Sequence, residues 1–333
     1  MHILSKSTYY KTTNFNNDFV NDKNCKFLPN FCASQANTLM NYAEVFNCAY
    51  SGRPMLKKEV IQKILQKLVN KQSANDALEI LKNYIPYIYH SEILSLFMRT
   101  NDKTRLDFRD ILQSNKEQAS KILEAKERNV LNSTNGLLKG LDNKKKNFLK
   151  LIREEALDKM TEGVIIRNFV LKQIKALIDI NNDNEVLKSI YRAWYKLPRV
   201  SNDKDAFIVH YANCSQNMIA KKLINPAEAS IEHIIPSSRD GGDELCNTIL
   251  VCNQFNSERN SLKLDEYCML NPDLDIPRNL QNYINAVIRE INDGNSWLSK
   301  KCRYPDGIQK KVLQDSSGYI VLDTSQLKIK KKK

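Results

Sequence analysis

Residues Ala229 to Tyr267 read A-S-I-E-H-I-I-P-S-S-R-D-G-G-D-E-L-C-N-T-I-L-V-C-N-Q-F-N-S-E-R-N-S-L-K-L-D-E-Y, and the fold turns on how they are parsed. A short β-branched run ends in Glu232 and His233 and is stopped by Pro236. The spacing predicts a strand whose acid and imidazole face opposite sides or splay apart at its end. A polar loop, Ser237 to Leu245, follows, and its Gly241-Gly242 pair offers positive φ where the chain must reverse. Ile249-Leu250-Val251-Cys252 has the length of a second strand. Asn256-Ser257 then offers a helix N-cap before Arg259 to Tyr267. The expected order is strand, loop, strand, helix.

These residues resemble the HNH endonuclease family, whose motif is a two-stranded ribbon and a helix around one divalent metal. The acid-His pair is Glu232-His233, the P-x-S and G-G positions are Pro236, Ser238, Gly241 and Gly242, the middle Asn is Asn247, and the closing N-x-x-K/R is Asn256 with Arg259. Each piece alone is an ordinary surface strand or helix start; their coupled spacing carries the resemblance. It covers about 40 of 333 residues.

The resemblance implies a metal-dependent endonuclease that hydrolyses phosphodiester bonds of DNA, with RNA left open as a substrate. In-line attack by water needs a base, and His233 is the expected one because imidazole is the residue type that accepts a proton near neutral pH. Glu232 and Asn256 are the implied oxygen ligands for Mg²⁺, or Mn²⁺, the other positions going to water and phosphate. Asn247 is implied to hold the loop by side-chain hydrogen bonds, more scaffold than ligand. Arg259 would offer its fork of donors to a phosphate. Glu232 stands where Asp is commoner in the family, which moves the carboxylate outward by a methylene. One such site cuts one strand, so double-strand cleavage would need two copies or a second encounter. The alternative is an inactive, nucleic-acid-binding or partner-recruited protein on the same fold.

Many members wrap the motif in two C-x-x-C pairs that bind zinc. Here those positions read Tyr211 and Cys214, then Cys252 and Phe255, so two of four thiolates are missing and no structural Zn²⁺ is expected. The eight cysteines form no compact framework and fit reduced thiols.

Outward from the motif, the chain divides by charge. Residues 1–200 carry 33 Lys and Arg against 21 Asp and Glu, whereas residues 201–327 carry 13 against 17. Attraction for a polyanion must therefore come mostly from the N-terminal part and from the tail, Lys328 to Lys333. We read 1–36 as a polar, weakly ordered arm, 37–200 as an all-α domain, 201–327 as an α+β nuclease domain, and 328–333 as a Lys-rich tail. The fold class is mainly α.

Helical spacing recurs from Asn37 in seven or so segments up to Pro198, including two long helices, about Phe108–Val130 and Leu137–Met160, parted by Asn132-Ser133-Thr134-Asn135-Gly136. The basic stretch Lys144-Lys145-Lys146 reads first as a solvated helix face. The cluster Tyr191, Arg192, Trp194, Tyr195, Lys196 and Arg199 could stack bases, although its spacing also suits a core. His2 and His90 lack ligand-spaced partners. Downstream, Leu280 to Ile291 reads as an amphipathic helix, Tyr304-Pro305-Asp306-Gly307 as a turn, and Tyr319 to Leu322 as a short strand. With no run of 18 apolar residues, no membrane association and a cytoplasmic location are expected.

Overall fold

A computed structural model describes residues 38–69, 74–98, 108–180, 185–199, 203–294, 298 and 304–324. The arm at 1–36 and the tail at 328–333 lie outside these residues. The helices up to Pro198 are α1 (Lys58–Val69), α2 (Ala74–Lys82), α3 (Ser91–Met98), α4 (Phe108–Leu137), α5 (Asn143–Thr161), α6 (Arg167–Ile180) and α7 (Glu185–Tyr195). They match the segments read from periodicity. The exception is the polar run at 132–136, which continues α4 to a length of 30 residues instead of breaking it. Ser133 and Thr134 donate their hydroxyls to the carbonyls of Val130 and Leu131, at 2.9 and 3.0 Å, so these turn-forming residues are satisfied inside the helix.

Beyond them come α8 (Lys204–Tyr211), α9 (Gln216–Ile224), β1 (Ala229–His233), β2 (Thr248–Cys252), α10 (Asn253–Arg259), α11 (Leu264–Leu270), α12 (Ile276–Asn292) and α13 (Tyr304–Asp315). The strands pair antiparallel, with Ile231 opposite Leu250, Glu232 opposite Ile249 and His233 opposite Thr248. The helix after β2 begins earlier than its N-cap signal suggested, at Asn253, so Asn256 sits within it. Asn260, at φ +51°, ends it and separates it from α11.

Two C-terminal expectations are corrected. Tyr304-Pro305-Asp306-Gly307 starts α13 instead of forming a turn. Pro305 needs no amide partner in a first turn, Asp306 favours a helix N-terminus, and Tyr304, Ile308, Val312 and Asp315 bury one face. Gly307 is required there: a Cβ would stand 2.3 Å from Cys246 Cβ, where α13 crosses the loop before β2. Tyr319 to Leu322 does alternate, with Ile320 and Leu322 buried and Tyr319 and Val321 exposed, but this segment pairs with no strand among the described residues.

The buried residues gather in three cores, two of which join segments from both sides of residue 200. One core joins the ribbon and α10 to α13 with Leu39, Ala43, Phe46, Cys48, Ala49, Tyr50 and Met55. A second joins α1 to α3 and the start of α4 with α8 and α9. A third holds the end of α4 with α5, α6 and α7. The N-terminal segment reaches both edges of the ribbon: Ala49 N–H donates to Leu250 O at 3.0 Å, while Leu56 exchanges hydrogen bonds with Ala227 and Ala229 at 2.9 and 2.8 Å. No described helix is long and apolar enough to cross a membrane.

Candidate active site

β1 presents Glu232 and His233 at its end, and α10 returns alongside to present Asn256. All three, with Pro236, Ser237, Ser238 and Asn260, line one cleft of about 400 Å³. The loop that closes it is built on Asn247, whose side chain is fully buried. Its Oδ1 accepts from Ile235 N–H at 2.9 Å, and its Nδ2 donates to Ile235 O and Gly242 O at 3.0 and 2.8 Å. One amide thus ties the exit of β1 to the far side of the loop. Gly241 serves close approach rather than positive φ, which falls on Asp240 at +61°. A Cβ on Gly241 would lie 1.7 Å from Ile235 O.

His233 is half-exposed, and its Nε2 lies 3.1 Å from Asp243 Oδ1. A carboxylate only accepts, so this contact assigns the ring proton to Nε2 and leaves Nδ1 of the neutral imidazole as an acceptor. Asp243 was not singled out in the sequence; its signal is an acid directly after the glycine pair, where the loop folds back toward the strand end.

Asn256 donates Nδ2 to Ser230 Oγ at 2.7 Å and to Ile231 O at 2.9 Å. A carbonyl cannot donate, so the amide nitrogen must face the strand, and Oδ1 is left uncommitted among the described residues.

Glu232 is buried. Its Oε1 accepts from Arg259 Nη1 and from Tyr50 O–H, the latter at 3.4 Å, and its second oxygen has no partner among the described residues. Burial pushes its carboxyl up to about 7, against the pull of the Arg259 guanidinium. The donor set is thus one carboxylate oxygen and one amide oxygen on a shared cleft. It is sparse, and a divalent cation held there would draw its remaining ligands from water. Among the described residues no group of three or more His, Cys, Asp or Glu forms a metal cluster.

Arg259 is not where a phosphate contact needs it. Its side chain is fully buried, and its donors go to Glu232, to His233 O at 2.7 Å, to Ile234 O, and to Asp315 Oδ2 at 2.7 Å. Burial would lower its pKa, but the negative charge of its neighbours, Glu232 and Asp315 among them, holds it raised. Arg259 is a positioning residue that locks the end of β1 against α10 and α13. The sequence could not show this, because Asp315 lies 56 positions downstream.

The four positions of the two C-x-x-C pairs divide between two cores. Tyr211 and Cys214 pack with the second core, Cys252 and Phe255 lie in the first, and Cys252 N–H donates to Cys48 Sγ at 3.2 Å.

The ribbon and helix, with His, Glu and Asn at one cleft, form a ββα module. Residues 213–263 match the model of the HNH endonuclease family, so the chain carries an HNH endonuclease domain there. Such nucleases act on nucleic acid and typically use a divalent metal. No curated protein and no solved structure matches the chain.

Proposed function

We propose that the cleft hydrolyses phosphodiester bonds of DNA by metal-assisted attack of water. The observation that carries this is the convergence of Glu232, His233 and Asn256 on one cleft, with Asn256 turned so that its oxygen is uncommitted. His233 Nδ1 accepts the proton of the attacking water, while Asp243 holds the ring through Nε2. Glu232 and Asn256 would hold the divalent metal, which when bound supplies positive charge for the scissile oxygens and the leaving 3′ oxygen. Asn247 and Arg259 keep the strand end and loop in register. The basic N-terminal half supplies the attraction for a polyanion.

One observation favours a second reading, nucleic acid binding without turnover: Glu232 is 4% exposed and already paired with Arg259. Supercoiled plasmid incubated with Mg²⁺ or Mn²⁺, beside an EDTA control, decides between the two. The nuclease reading expects metal-dependent nicked circles that His233→Ala does not produce; an intact plasmid under every metal condition would sink it.

A further inference from the structure

Alongside α10 lies a second cavity, of about 540 Å³, which shares Ser257 with the cleft. Its walls come from distant parts of the chain, and three cations face a single carboxylate. Glu258 is that carboxylate, and it is spent: Oε2 pairs with Arg199 at 2.7 Å and Oε1 accepts from Gln254 at 2.8 Å. Arg167 is 5% exposed yet pairs with no carboxylate among the described residues. Its Nη atoms donate to Asn168 Oδ1 and Tyr195 O, both at 2.9 Å, and its Nε has no partner. Burial, with the charge of Arg199 added, pulls Arg167 down to about 10. Lys222 stands exposed at the rim over the Tyr211 ring, 5.6 Å from its centroid. Arg167 and Lys222 thus form no ion pair among the described residues, although the buried Glu127 carboxylate accepts from the Arg167 backbone N–H at 2.8 Å, and such cations favour an anion.

The remaining wall is aromatic. Phe207 lies 4.9 Å from the His90 ring and 4.6 Å from Tyr211, and Tyr195 stacks under the Arg199 guanidinium at 4.1 Å. His90 is almost fully buried against that wall, its Nδ1 3.6 Å from Glu92 Oε1, and its Nε2 has no hydrogen-bond partner among the described residues. Cations for a phosphate beside flat faces and polar edges for a base are the requirements of a nucleotide.

We propose that this cavity binds one nucleotide unit, with its phosphate on Arg167 and Lys222 and its base among Tyr211, Phe207 and His90. The occupant is either a nucleotide of the strand seated in the cleft, an arm that rests on the nuclease reading, or a free nucleotide. The shared Ser257 favours the strand.

The test is binding in EDTA, where no cleavage occurs, of AMP and of a fluorescent single-stranded oligodeoxynucleotide to the full chain. Arg167→Gln and Lys222→Gln are compared with Lys144→Gln, a lysine on α5 outside the cavity. AMP that binds and displaces the oligonucleotide, with both weakened about tenfold or more by the two cavity variants, supports the strand arm. AMP binding that the same variants weaken, without displacement, supports the free-nucleotide arm. Unchanged AMP and oligonucleotide affinity in Lys222→Gln, an exposed position that leaves the fold intact, overturns the proposal even if Arg167→Gln misfolds. Because no step depends on His233, failure here leaves the plasmid assay of the cleft unaffected.

Discussion

The two hollows that meet at Ser257 of α10 are built in opposite ways. The cleft takes its lining from residues 231–260, short-range neighbours brought together by one hairpin and one helix. The cavity takes its lining from residues as far apart as His90, Arg167, Lys222 and Glu258, which meet only because the helical cores close around α10. The chemistry proposed for the cleft, which needs exact placement of a proton acceptor and two oxygens, falls to the local unit, which the hydrogen bonds of Asn247 hold together. The charge that would grip a long polyanion is spread over the tertiary structure. Turnover and grip should therefore be separable by mutation.

The sharpest separation is His233→Ala. Loss of the base should lower cleavage by about 10²–10⁴-fold, with oligonucleotide affinity kept; equal losses in both would break the contrast. Arg259→Met should act through the fold instead. It leaves Glu232 buried without its cation, while Asp315 keeps Arg239 at 3.0 Å, a cost of about 3–5 kcal/mol, read as a lower midpoint in urea denaturation. A variant as stable as the parent would show that the guanidinium does not hold the strand end. Asp243→Asn should leave the fold alone and slow cleavage by roughly ten- to a hundredfold, the worth of one hydrogen bond to a charged group. Its pH profile should change with the rate, since the ring loses its tautomer anchor; a slower enzyme with an unchanged profile would argue for mere packing. The smallest effect is expected at the start of α6, next to the cavity residue Arg167. Glu127 is buried and caps the start of α6 by accepting from Ile166 N–H and Arg167 N–H at 3.2 and 2.8 Å. Glu127→Ala should cost about 1–3 kcal/mol, and because those amides precede the Arg167 side chain, a loss of AMP binding in that variant would tie the cap to the cavity.

The same contrast explains what could be read in the sequence. The ribbon and helix that carry Glu232, His233 and Asn256 were legible because these residues lie within 25 positions, where the apolar runs mark the strands and the HNH resemblance singles out the polar residues between them. The role of Arg259 was not, because the same fork of donors suits a phosphate or a pair of carboxylates, and only the fold brings Asp315 to it. Helix positions followed from apolar periodicity, yet Ser133 and Thr134 were read as a break, since nothing local tells a hydroxyl that bonds back to its own helix from one that ends it. Tyr304 to Gly307 failed for a related reason: Pro, Asp and Gly suit a turn, and they equally suit a helix start once Tyr304 and Ile308 have a core to enter. His90 and Arg167 carry no sequence signal at all for the cavity they line.

The clasp of residues 48–56 on both margins of the ribbon has a practical corollary. An excised cassette beginning near residue 200 would bare the backbone of Leu250 on one strand and Ala229 on the other, and would remove Tyr50 from beside Glu232. Unpaired strand margins recruit other chains. Transplanting this motif into another scaffold would therefore require carrying along a stretch of polypeptide that lies nearly two hundred positions upstream of it.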